Sequence, residues 1–72
     1  MATSAVAIQS KMISSASYND GMETLTVTFT GGAKYSYMDV PQHVYDGLLA
    51  AESKGMYMRT HIFDVYSYSK MN

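Results

Sequence analysis

The run TLTVTFT at residues 24–30 sets threonine at every even position and Leu25, Val27 and Phe29 between them. Side chains alternate across a strand, so this run has one apolar and one hydroxylated face, as in a half-buried antiparallel strand. Upstream, Met12 to Tyr18 reads as a preceding strand with Ala16 and Tyr18 on one face. YNDGME at 18–23 is the expected turn between them, because Asn, Asp and Gly tolerate positive φ. Downstream, Gly31 and Gly32 reverse the chain into AKYSY at 33–37.

Register decides where Tyr35 and Tyr37 point. A two-residue Gly31-Gly32 loop would pair Thr28 with Tyr35 and Thr26 with Tyr37, leaving an exposed aromatic platform on the threonine face. A three-residue loop, with Gly32 left-handed in a bulge, pairs Phe29 with Ala33, Val27 with Tyr35 and Leu25 with Tyr37. The second register collects the large apolar side chains on one face and is the expected one. Both tyrosines are then buried.

After the hairpin, MDVPQHVYDGLLAAESKG (38–55) carries helix signals. Asp39 is the expected N-cap, Pro41 suits the first turn and Gly55 the stop. Val44, Tyr45, Leu48, Leu49 and Ala51 form an apolar stripe for the sheet, with Gln42, His43, Asp46 and Ala50 facing out. Gly47 costs about 1 kcal/mol against alanine inside a helix, which suggests a close neighbour. In the tail, Tyr57, Met58, His61, Ile62 and Val65 suit a short second helix, and VYSY (65–68) an edge strand. Residues 1–8 read as a partly ordered arm, with Val6 and Ile8 available to pack. The expected architecture is one α+β domain over residues 1–72: a three-stranded antiparallel β-meander packed against one α-helix, with a short C-terminal helical or extended segment.

A chain of 72 residues without cysteine has neither disulfides nor thiolate–metal ligands to supplement a small core. Its ample apolar content, 47%, makes a protein partner or self-association the natural supplement. Five basic against six acidic residues give a net charge of −1, without the basic excess typical of a nucleic-acid module. No basic leader precedes an apolar stretch, and no apolar run approaches a membrane span, so the expectation is a cytoplasmic protein that meets no membrane.

Catalytic and metal signals are weak. TGGAK resembles a phosphate loop, but strand residues follow where a P-loop needs a helix. His61 and Asp64, three apart, could meet on a helix, yet no nucleophile or oxyanion donor accompanies them. Two histidines and six scattered carboxylates form no metal-ligand spacing. No metal or cofactor is expected, nor enzymatic activity. Ser14, Ser15 and Ser17 have no base in sequence reach and read as the solvent side of an outer strand. The threonine face, with Lys34 and Ser36, reads as the wet side of the sheet.

The less routine feature is methionine, seven in all. Methionine and aromatics adapt to irregular partner surfaces, so Met56, Met58, Phe63, Val65 and Tyr66 are the candidate partner-binding residues; completion of a small core is the competing role.

ISSASYND, LTVTFTGGAKYSYMDVP, VYDGLLAAESKGMY and HI with a following Tyr66 resemble the KTSC domain, found at the C-terminus of some lysyl-tRNA synthetases and as a free-standing protein in bacteria and phages. The resemblance runs from about Ile8 to Tyr68 and implies no catalysis, metal or cofactor. RNA binding has been suggested for the family; here Lys54, Arg59 and His61 would carry it. Met56, Phe63 and Val65 stand where the family often has arginine or another polar residue, which favours a protein surface over a nucleic-acid one. The expected function is therefore a non-catalytic binding protein, a phage or bacterial accessory factor that inhibits or modulates a host enzyme or defence system. The alternative is an RNA or single-stranded nucleic-acid-binding module.

Overall fold

The computed structural model describes residues 4–7 and 11–71. Its antiparallel sheet has five strands in chain order, β1 (Ser4–Ala7), β2 (Ile13–Asn19), β3 (Thr24–Phe29), β4 (Lys34–Tyr37) and β5 (Tyr68–Lys70). The expected meander is β2–β4, and it is flanked on both sides. Four residues of the expected arm pair with β2 as β1, while the packing of the Val6 side chain, and Ile8 altogether, lies outside the described residues. β2 is consequently an inner strand, and only Ser14 of its three serines is exposed.

Ile13 pairs with Phe29 and Ser15 with Thr28, so Ser14 is the extra residue of a β-bulge. The bulge shifts the alternation by one, which lets Ile13 and Ala16 both enter the core. At the β3–β4 hairpin the three-residue loop holds. The Phe29 N–H donates to Ala33 O at 2.8 Å, Gly32 has φ 99°, and Val27 faces Tyr35 while Leu25 faces Tyr37. Only glycine adopts that φ without a Cβ penalty.

Two helices lie downstream, α1 (Gln42–Ala50) and α2 (Lys54–Tyr57), the latter continuing into a π-helical turn, Met58–Ile62. Asp39 is not the cap: it sits at φ 59°, and Pro41, extended, holds the N-cap position without a side-chain bond. The intervening Val40 fixes the approach. Its N–H donates to Glu23 O at 2.8 Å and its carbonyl accepts the Tyr18 hydroxyl at 2.6 Å, tying the β2–β3 turn to the start of α1. Nor does Gly55 stop the helix. The chain turns extended at Ala51, where Lys54 Nζ donates to Leu49 O at 2.9 Å and to Ala51 O, satisfying carbonyls at the helix end. Gly55 instead lies within α2, capped by the Ser53 hydroxyl accepting from Met56 N–H.

The predicted stripe Val44, Tyr45 and Leu48 is buried, with Leu49 and Ala51 half-buried and Gln42, His43, Asp46 and Ala50 exposed. The core joins Leu25, Val27, Tyr37, Ala16 and Tyr18 from the sheet to that stripe and to Met58 and Ile62 of the tail. Tyr18 and Tyr45 stack at 5.2 Å. Gly47 has the expected close neighbour: a Cβ there would clash with the Tyr57 hydroxyl, which donates to Val44 O at 2.9 Å.

Candidate binding cleft

Where β5 adds to β4, the sheet face that carries Tyr35 and Tyr37 continues onto β5 through Tyr68. Tyr35 and Tyr37 of β4 and Tyr68 of β5 lie on that face by register, beside Phe29 at the end of β3. The tail returns after the π turn with Phe63 and Asp64, and Met12 closes the near end. Between them is a cleft of about 420 Å³, within the range of small-ligand and anchor pockets.

Its wall is a chain of touching rings. Phe29 meets Tyr35 edge-on at 5.7 Å and Phe63 at 6.3 Å, while Tyr68 contacts Tyr35 at 5.5 Å and Tyr37 at 5.8 Å. Tilted and edge-to-face pairs match ring edges to faces and hold the wall in shape. Tyr37 is at its base, 3% exposed, and burial, then the Tyr35 and Tyr68 phenols, pushes its pKa up to about 12. Tyr35 is half-buried and Tyr68 58% exposed, so the rings grade from core to rim. The expected burial of both hairpin tyrosines holds for Tyr37. Tyr35 faces the same side yet lines the cleft.

β5 is also the sheet edge. Met38 N–H bonds Ser67 O and Met71 N–H bonds Lys34 O, so by alternation Tyr68 and Lys70 turn their own N–H and C=O groups to the free side.

The five partner-binding candidates do not form one patch. Met58 is fully buried in the core and is not a surface residue. Its position on the inner side of the π turn decides this, since an apolar side chain there has the sheet and α1 to bury against. Phe63 and Tyr66 are half-buried against the core, and Phe63 reaches the cleft. Met56 and Val65 are exposed, at 61% and 62%.

The nucleic-acid candidates are divided too. Lys54 is committed to the α1 carbonyls, although with Lys11, Met12 and Arg59 it borders a second groove of about 390 Å³. His61 is exposed, its ring 4.5 Å from that of Tyr57, and borders a different depression from the cleft that Asp64 lines. Burial, followed by the Tyr66 phenol, raises the Tyr57 pKa. Among the described residues no group of three or more His, Cys, Asp or Glu could hold a metal ion, and no helix is long and apolar enough to cross a membrane.

Tyr68 escaped the sequence reading as a site residue, and Asp64 entered it only as a partner for His61, from which the structure separates it. The period-two tyrosines Tyr66 and Tyr68 signalled a strand, but only its pairing with β4 brings Tyr68 beside Tyr35.

A 45% identical protein of Tsukamurella paurometabola aligns over 51 residues, 71% of this chain and 76% of that one. An uncharacterized protein of Stutzerimonas stutzeri is 42% identical over 50 residues, covering 69% and 70%. The crystal structure of a KTSC domain protein from Yersinia pestis superposes with TM-score 0.92 at 25% identity, over 99% of this chain and 100% of the other. The KTSC domain profile matches residues 9–66, from before β2 to beyond the π turn, and the chain belongs to the KTSC domain family.

Proposed function

We propose that this is a non-catalytic binding domain, and that a segment of a partner protein lies along β5 and seats a side chain in the aromatic cleft. The observation that carries the reading is the coincidence of the ring-lined cleft with a free strand edge at Tyr68 and Lys70. Added strands gain affinity from backbone hydrogen bonds and specificity from a pocket for one side chain. Aromatic residues in desolvated pockets are also where interface energy concentrates. Use as a phage or bacterial accessory factor against a host enzyme is one setting for such a contact; that part rests on family resemblance.

A peptide library selected on the immobilised domain tests the reading. Binders should be lost with Tyr68→Ala, and weakened by Lys70→Pro, which removes an outward N–H without touching the ladder. Binders indifferent to both changes would refute it.

The second reading, single-stranded nucleic acid, draws on the groove flanked by Lys11 and Arg59. Labelled RNA titrated at low salt decides: binding with a steep salt slope, abolished by Lys11→Glu with Arg59→Glu, would replace the protein-partner reading. Lys54 is unsuited to that test because its charge caps α1.

A further inference from the structure

We infer that the side chain the cleft accepts is an arginine of the partner protein. This deepens the proposed function and rests on it. Among the described residues Asp64 is the one charged residue lining the cleft, and the other lining groups are five aromatic rings and Met12. Lys70 stands opposite Tyr35 in the β4–β5 register but is exposed and is not part of the lining. Within the lining, the Asp64 carboxylate and the π faces both attract a cation, while the Lys70 ammonium shares the sheet face with Tyr35 and Tyr68 from the solvent side of the edge strand.

A neutral aromatic or aliphatic anchor would gain nothing from Asp64. Lysine is less well matched, because an ammonium is strongly hydrated and would need acceptors for three N–H donors in a site offering chiefly ring faces. A guanidinium is planar and weakly hydrated. It can lie against the Tyr35 or Tyr68 ring while its edge donates two parallel hydrogen bonds to the Asp64 carboxylate. The exposure of Asp64 and Tyr68 leaves both open to such an approach.

The test is titration of the folded protein with N-acetyl-arginine amide, its neutral near-isostere N-acetyl-citrulline amide, and N-acetyl-phenylalanine amide, followed by the NMR shifts of the Phe29, Tyr35, Phe63 and Tyr68 ring protons. The arginine amide should move these resonances and bind at least about fivefold more tightly than the citrulline amide, with the difference shrinking as salt is raised. Asp64→Asn, at an exposed position, should abolish most of the difference and leave citrulline unchanged. Equal binding of arginine and citrulline, or an arginine affinity untouched by Asp64→Asn, would overturn the inference. Phenylalanine amide binding in the same cleft would then show a neutral anchor and leave the proposed function standing. Failure of all three amides to shift the rings would overturn both.

Discussion

Replacing Gly47 with alanine should destabilise the protein, although alanine is the better helix former. Intrinsic propensity favours alanine by about 1 kcal/mol in the interior of α1. Against that, the new Cβ would sit 2.9 Å from Tyr57 Cζ and 3.1 Å from Cε2, and closer still to the hydroxyl. The helix backbone cannot yield, so the ring must swing away. Doing so breaks the 2.9 Å bond from the Tyr57 hydroxyl to Val44 O, at a net cost of about 1 kcal/mol. Exposing roughly 40 Å² of ring surface adds about 1 kcal/mol more. The balance is a loss of about 1 kcal/mol, a fall in Tm of roughly 4–8 °C for a domain of this size. Thermal and urea unfolding followed by circular dichroism measure it. The decisive comparison is the same substitution in a Tyr57→Leu background, where the clash is gone and Gly47→Ala should stabilise by about 1 kcal/mol. A higher Tm for Gly47→Ala alone, or the same change in both backgrounds, would refute the account.

Tyr37→Ala should cost about 3–5 kcal/mol in urea unfolding, as for a core aromatic, and Tyr35→Ala distinctly less because its ring already borders solvent. Met58→Arg should prevent folding, whereas Met56→Arg and Val65→Arg should change stability by no more than about 0.5 kcal/mol, read by the same melts. Lys54→Met should lower stability by about 1 kcal/mol through the lost α1 carbonyl bonds, with Lys54→Arg retaining part of it. Alkaline unfolding should follow the phenols: Tyr37 is raised to about 12 in the folded state from 10 unfolded, so its contribution is whole below pH 10 and is lost as pH rises to 12. Tyr18, Tyr45 and Tyr57, raised chiefly by burial, act in the same direction above pH 10, and Tyr37→Phe should flatten part of the slope.

Period-two alternation in TLTVTFT and a double glycine were enough to place β3, the register of β4 and the face of Tyr37, because each depends on neighbours a few residues away. The same holds for the buried stripe of α1, where 3.6-residue periodicity sorts Val44, Tyr45 and Leu48 from Asp46 and Ala50. Caps were less legible. Asp39 has the right chemistry for an N-cap, yet the bond from Val40 N–H to Glu23 O and the Tyr18 hydroxyl bond to Val40 O decide where the helix begins. Gly55 looked like a stop because a lysine one residue earlier gives no local sign of reaching back to the α1 carbonyls. The alternating tyrosines of VYSY did mark an edge strand in the tail, although β5 forms at Tyr68–Lys70 rather than 65–68, whereas membership of β1 in the sheet was decided only in tertiary structure: a short, weakly apolar segment becomes a strand when β2 offers it an unpaired edge. The cleft has the same origin. Phe29, Tyr35, Phe63 and Tyr68 span 39 positions of sequence separation in all, 68 minus 29, and nothing in local periodicity joins them. Only the return of the tail, with Met58 and Ile62 buried beneath it, sets Phe63 and Asp64 against the rings of the sheet.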